Sequence, residues 1–559
     1  MLRRIAMGGV VVAMGLAVAQ QSAPSPTASA RSSAPDVGAS SASTVLQTKP
    51  NVVMIIVDDM RADDLQYMAN TRQLLGNEGV TFANSFSPYP LCCPARASIL
   101  VGQYTHNHRV FSVAPPYAFP SFNDGSTLAT ALQDAGYSTI MLGKYLNGYG
   151  TLPEPGEETG RSVHYVPPGW TDWRASLDGG LPASHPQWGN TYNYFDTTLS
   201  DQGVGFINYE GRYQSNVYGE LSASIIRERA ASPTPFFLYA SYAAPHNGEP
   251  REPDDLRWVQ RSDGRMVEFR SPARPNGVKN VFDGMINSAP GADWTDPDIT
   301  DKPEYLQSLL PTNDAERAAM LEVTRQRAEA LLVVDRQVKR TVDALRASGE
   351  LGRTLVIFTS DNGYFLGEQQ IRQGKILPHE PSLRTPLLMR GAGLPAGEVR
   401  YDPFMSIDFA PTIAAVAGAN MGVPVDGRSM LGVARRGDLG WRRAVLTETG
   451  SRNVVRNTDE SGLPLDAVDA GEPDARWAIG IRTDRYLYVD LASGEEELYD
   501  LATDPRQYDN LAASPTEEQT SLLQLMREQL ALMRACQAAE CRVRLPDELA
   551  TAPGQSIVN

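Results

Sequence analysis

The chain has 559 residues, 42% of them apolar, and carries 50 basic against 66 acidic side chains, a formal charge of −16. Such a length buries a large core and divides into more than one domain. The acidic balance excludes a nucleic-acid surface or a broad basic face for polyanions, so any anionic substrate has to be held locally.

Residues 1–19 combine Arg3 and Arg4, an apolar run from Ile5 to Val18 and the sequence Ala17-Val18-Ala19. That is the pattern of a signal peptide, and it predicts a secreted protein, free or held at the cell envelope. The run is short for a bilayer span, so no stable membrane anchor is expected. The arginine pair leaves the general and twin-arginine export routes open. Residues 20–48 are rich in Ser, Ala and Pro and read as a disordered leader.

The first structured stretch, Asn51 to Val57, is a continuous apolar run suited to a parallel strand buried on both faces, and it ends in Asp58-Asp59. Ligands bind at the carboxyl ends of such strands, and two adjacent carboxylates there repel unless a cation lies between them. Next comes Leu91-Cys92-Cys93-Pro94-Ala95-Arg96. Pro94 moves Cys93 out of helical geometry, the residues after it favour helix, and Cys92 falls beside a helix N-terminus. The helix dipole and Arg96 would favour its thiolate. Read as an isolated pattern, two small buried cysteines in a proline turn fit equally well.

Thr127 to Ala135 predicts a helix and Tyr137 to Leu142 a strand leading into Gly143-Lys144. Tyr218 to Ala231 predicts a helix, and the run from Pro235 a buried strand that ends in Ala244-Pro245-His246. Residues 249–302 lack periodicity and read as a long loop shaping a pocket. Asn313 to Ser348 predicts a long helix with a core face of Leu331, Val334, Val338, Val342 and Leu345. A second buried strand from Thr354 to Ser360 ends in Asp361-Asn362-Gly363. Together Asp58, Asp59, Asp361 and Asn362 form an all-oxygen set suited to Ca²⁺ or Mg²⁺. From about residue 443 short strands follow (444–448, 477–483, 485–490 and 496–501), which indicate an antiparallel sheet, and then a helix over 515–534. Cys536 and Cys541 can close a small disulfide loop in an oxidising compartment.

Cys92-x-Pro94-x-Arg96 resembles the signature of the type I sulfatases, and the resemblance extends through separate motifs over nearly all of the chain after residue 48. It implies an α/β fold: an alkaline-phosphatase-like sandwich whose large, mostly parallel sheet occupies residues 49–440, a smaller C-terminal antiparallel subdomain over 441–545, and a tail over 546–559. It further implies that a formylglycine-generating enzyme oxidises Cys92 to formylglycine, and that Asp58, Asp59, Asp361, Asn362 and residue 92 bind the metal, usually calcium. In this reading Arg96, Lys144 and Lys375 stabilise charge on sulfate, and His246 or Lys375 assists the leaving alcohol. Lys144, His246, Lys375 and His379 are the expected substrate contacts. Many arylsulfatases have a histidine where this chain has Leu146, which leaves His106 or His108 as substitutes.

Gly143-Lys-Tyr-Leu-Asn147, the doubled cysteine and Val166-Pro-Pro-Gly-Trp170 look like the N-acetylglucosamine-6-sulfatase branch. A sulfated sugar or an aryl sulfate is thus the expected substrate. The rivals are a phosphate or phosphonate ester hydrolase on the same site and a non-catalytic sulfated-glycan-binding protein.

Overall fold

Strand β1 (Asn51–Val57) is buried at every residue because it lies inside a ten-stranded sheet. The structure, a computed structural model, describes residues 49–253, 255, 256, 258–391, 393–450 and 476–556. The signal-peptide and leader readings fall outside these residues.

The other strands of the sheet are β2 (Val80–Phe82), β3 (Ser138–Lys144), β4 (Asp172–Ser176), β5 (Thr198–Asp201), β6 (Gly205–Asn208), β7 (Phe236–Ser241), β8 (Thr354–Ser360), β9 (Leu387–Arg390) and β10 (Glu398–Arg400). They lie in the order β10-β2-β9-β8-β1-β7-β3-β4-β5-β6. The five central strands, β8 to β4 in that order, run parallel, while antiparallel pairs occur towards both edges, so the sheet is mixed.

Register decides where chemistry can gather. Val57 pairs with Ser360, Ile56 with Ser241, and Gly143 with Ser241. The carboxyl ends of β1, β8, β7 and β3 therefore finish level with one another, and the residues that follow them share one rim.

Alternation along β1 builds the layers. Val52, Met54 and Ile56 pack on the side that carries helix α1 (Cys92–Val101) and helix α2 (Leu128–Asp134). Val53, Ile55 and Val57 pack on the other side, against helix α3 (Gln214–Ala230) and helix α4 (Asp314–Ala347). This is the α/β sandwich expected from the sequence.

A second sheet, β11 (Val445–Thr449), β12 (Ala478–Arg482), β13 (Tyr486–Leu491) and β14 (Glu496–Asp500), is an antiparallel meander. Helix α5 (Glu517–Met533) covers it with Leu523, Met526, Leu530 and Met533. Cys536 and Cys541 are disulfide-bonded. Among the described residues no helix is long and apolar enough to cross a membrane.

Two local expectations are corrected. Helix α1 begins at Cys92 itself, so Cys93 is helical, and Pro94 stands in a first turn whose N–H groups lack intrahelical partners in any case. The 249–302 stretch is also more than loop, since Trp258–Gln260 pairs with Met266–Glu268 as a hairpin. Three residues per strand are too few to show a period.

Helix α4 starts with a reciprocal cap. Asn313 Oδ1 accepts from the Glu316 N–H at 2.9 Å, and Glu316 Oε2 accepts from the Asn313 N–H at 2.9 Å. Asn313→Ala should lower stability by about 1 kcal/mol, read as a lower urea midpoint at unchanged slope. An unmoved midpoint would contradict this role for the cap.

Candidate active site

Four strand ends and one helix start converge on Cys92. Its thiol donates to Asp58 Oδ1 at 3.2 Å, lies 3.8 Å from Asp59 Oδ1, and accepts from Lys375 Nζ at 2.9 Å. Lys144, the last residue of β3, bonds the other oxygen of Asp58, and Lys375 bonds Asp59 Oδ1. Arg96, one turn into α1, donates to Asp361 Oδ2 at 2.8 Å, to Ser241 Oγ at 2.6 Å and to the Lys144 carbonyl at 3.0 Å. Asn362 Nδ2 donates to Asp59 Oδ1 at 2.7 Å. His246 Nε2 stands 3.7 Å from Asp59 Oδ2, and its Nδ1 is 2.7 Å from the Asn247 carbonyl, which fixes Nδ1 as the protonated nitrogen.

Backbone geometry makes these approaches possible. Gly143 has φ of +94°, and a Cβ there would meet the Ser241 carbonyl oxygen at 2.1 Å, so only glycine lets β3 close on β7 just before Lys144.

Burial and charge set the protonation states. Burial raises the Asp58 carboxyl, but Lys144, His246 and Arg96 outweigh it and hold Asp58 well below the usual range. Asp361 is pushed up to about 6 by burial and then by the charge of Asp58. The Cys92 thiol is also raised, by burial and by Asp58, against the pull of both lysines. The expected thiolate is therefore overturned: the helix dipole and Arg96 do not offset full burial beside a carboxylate. An unmodified Cys92 is a protonated thiol.

The oxygen set fits a hard divalent cation. One oxygen from each of Asp58, Asp59 and Asp361 falls within a 4.8 Å span, and Asp59 Oδ2 and Asn362 Oδ1 are buried without a hydrogen-bond partner.

Three of the remaining histidines lie elsewhere. His379 is fully buried with Nε2 at 2.9 Å from Glu497 Oε2, so it lines no pocket. His106 bridges Glu448 and the Cys536 carbonyl. His108 bonds Ser98 Oγ at 2.9 Å, and burial drops its pKa to about 3. Leu146 is buried in the apolar core.

Three residues join the site without having been anticipated. Tyr192 lies with its ring 4.7 Å from that of His246 and beneath Lys144 Nζ at 5.1 Å. Ser241 ends β7. Arg327, on α4, reaches the Asp59 carbonyl and Asp64. Arg327 precedes Leu331 by one helical turn on the apolar stripe, and a charge placed there is the signal that could have found it.

The Sulfatase family profile matches residues 50–419. The N-acetylglucosamine-6-sulfatase of Capra hircus is 29% identical over 521 residues, covering 88% of this chain and 85% of that protein. Among solved structures, BT4656 in complex with its substrate D-glucosamine-2-N,6-O-disulfate superposes with a TM-score of 0.63 at 21% identity, over 86% of this chain and 98% of that one. The phosphonate monoester hydrolase of Agrobacterium radiobacter gives 0.58 at 21% identity, over 90% of this chain and 99% of that one. The fold is that of the alkaline-phosphatase-like sulfatases. The chain belongs to the sulfatase family and is a sulfuric ester hydrolase.

The loop that carries Lys375 is held under strain. Ile376 has φ of +86°, an outlier for a β-branched residue. Its N–H donates to the Pro90 carbonyl at 3.0 Å, and its own carbonyl accepts from Thr449 Oγ1 of β11 at 2.9 Å. Thr449→Val removes that second tie without changing shape. It should lower kcat up to about tenfold, the worth of one buried hydrogen bond, with KM held within about twofold. Unchanged kcat would show that the C-terminal sheet does not position Lys375.

Proposed function

We propose that this chain is an exported, calcium-dependent sulfatase that removes sulfate from a sulfated sugar, N-acetylglucosamine 6-sulfate first among them, through formylglycine made from Cys92 by a formylglycine-generating enzyme. The observation that carries the reading is the meeting of Asp58, Asp59 and Lys375 on the Cys92 side chain. The Cys92 sulfur stands in for the oxygens of the modified residue, which inherit these neighbours. The match along most of the chain to an N-acetylglucosamine-6-sulfatase supports the choice of sugar. The signal-peptide pattern and the Cys536–Cys541 disulfide support export.

Hydrated formylglycine at position 92 would supply the oxygen nucleophile, and Asp58, Asp59, Asp361 and Asn362 would hold a calcium ion that would supply positive charge to the site. The chain's own side chains do the rest. Lys144 and Lys375, each already bonded to a carboxylate, keep their protons: burial lowers both, but Asp58 and Asp59 raise them further. They present fixed positive charge to sulfate. Arg96 locks Asp361 and the end of β7, so the carboxylates do not reorganise during the reaction. His246, with Nδ1–H tied to the Asn247 carbonyl, turns Nε2 toward the site, where a proton on it can pass to the departing sugar oxygen. Tyr192 packs on that ring and fixes its plane.

Cys92→Ala should reduce sulfate release by at least about 10⁴-fold, because it removes the nucleophile, while the urea midpoint stays near that of the native protein. Assays on the 6-sulfated sugar and on nitrophenyl sulfate, phosphate and phosphonate separate the readings. Faster phosphate or phosphonate cleavage would favour the rival esterase, and sugar binding without release would favour a glycan-binding protein.

Chelation supplies a test of the metal that does not depend on turnover. Dialysis against a calcium chelator should lower the melting temperature, since an ion bound to the native state alone stabilises it by mass action and its removal takes that contribution away. Added Ca²⁺ should restore it in proportion to the logarithm of its concentration. A melting temperature indifferent to Ca²⁺ would overturn the metal assignment.

A further inference from the structure

The route to Cys92 indicates what surrounds the departing alcohol. Side-chain exposure is 14% for His246, 6% for Lys375, 3% for Lys144, 1% for Arg96 and zero for Asp58 and Asp59. Substrate therefore enters past His246, where a cavity of about 320 Å³ opens, walled by Tyr192, Asn247, Arg251, Asp255, Arg270 and Ser271 among others. On the sulfatase reading, a sulfate that reaches Cys92 would lie inward of His246, and this cavity would receive the rest of the molecule.

Its wall carries charge of both signs, paired off. Glu268, on the hairpin, accepts from Arg251 Nη1 at 2.8 Å through Oε1, and from Arg270 Nη2 at 2.9 Å and Nε at 3.1 Å through Oε2. Glu249 takes Arg251 Nε at 3.2 Å, and Asp255 accepts from Ser271 Oγ at 2.9 Å. Arg274, behind Asp255 at 3.8 Å, is itself paired to Glu252 and Glu329. Among the described residues, the two guanidinium groups of the wall, Arg251 and Arg270, are thus engaged by Glu249 in the wall and by Glu268 outside the lining, and Asp255 adds a further carboxylate to the wall. The arrangement is held in place relative to the catalytic groups: the Gln373 side chain brackets the Arg270 backbone with bonds of 2.9 and 2.7 Å, two residues before Lys375.

We propose that this cavity selects a sugar ring whose substituents other than the reacting sulfate are uncharged, and that Glu268 sets the selection by bridging Arg251 and Arg270, with Glu249 as the second carboxylate on Arg251. The inference rests on the sulfatase reading and narrows it. Guanidinium donors beside carboxylate acceptors suit hydroxyl and amide groups, each of which both gives and takes hydrogen bonds. A second anionic substituent on the ring, an N-sulfate or a carboxylate, would find both arginines engaged and three carboxylates close by. Like charges set against each other in this way are a device for rejecting a competitor.

Steady-state kinetics of the mature enzyme on N-acetylglucosamine 6-sulfate and on glucosamine 2-N,6-O-disulfate test it. The native enzyme should prefer the singly charged compound by at least about tenfold in kcat/KM, and the preference should shrink as NaCl is raised, because the wall is partly exposed. Glu268→Gln removes the charged bridge between Arg251 and Arg270, leaving Arg251 to Glu249, and should raise kcat/KM for the disulfate about tenfold relative to the monosulfate. Equal or better cleavage of the disulfate by the native enzyme would overturn the selection while leaving the sulfatase reading standing. A salt-independent preference together with an unchanged ratio in Glu268→Gln would remove Glu268 from it. Release of sulfate from neither compound would overturn the sugar reading on which the selection rests.

Discussion

Three carboxylates, two lysines and an arginine are buried at one rim of the central sheet, and each would be prohibitively costly there alone. The arrangement is stable because each charge has a partner of opposite sign at hydrogen-bond distance: Lys144 with Asp58, Lys375 with Asp59, Arg96 with Asp361. The partners come from strand ends, a helix and a loop that are far apart in sequence. The level ends of β1, β3, β7 and β8 are therefore what the chemistry depends on. A slip of one residue in any of these pairings would leave a charge uncompensated.

That constraint also explains why the protein is built as one unit with its C-terminal sheet. Lys375 lies on a loop rather than a strand end, so register cannot place it. The loop is held instead by the Pro90 carbonyl just before Cys92, by a bridge between Gly374 and Phe365, and by Thr449 on β11. Next along the chain, His379 meets Glu497 of β14, whose oxygens also accept from Tyr305 and Tyr499 at 2.7 Å. The strain at Ile376 persists because its surroundings overdetermine it. In this way the second sheet fixes the group that touches the nucleophile.

Much of this was legible in the sequence, and for a physical reason. Buried parallel strands are continuous apolar runs, so their ends are visible, and Asp58, Lys144, His246 and Asp361 stand at or just beyond such ends. What was misread involved quantities that a linear pattern does not carry. His379 is close to Lys375 in the chain but turns into the seam under β14. The helix dipole that favours a Cys92 thiolate is a local effect, while the protonation of that thiol is decided by burial among strands that arrive later. The hairpin at 258–268 is too short for a period, and Tyr192 lies in a loop with no motif. Arg327 is different, since a charge on the apolar stripe of α4 was there to be noticed.

Turnover at this cluster requires one covalent change at its centre. The thiol of Cys92 is held protonated against Asp58, a poor nucleophile in a site otherwise equipped for displacement on a sulfate ester. The direct test is the mass of the tryptic peptide containing residue 92, from protein secreted by its own host. A loss of about 18 Da, the change from thiol to aldehyde, is the predicted result. A peptide of unmodified mass would contradict the account, leaving a buried thiol where the nucleophile should be.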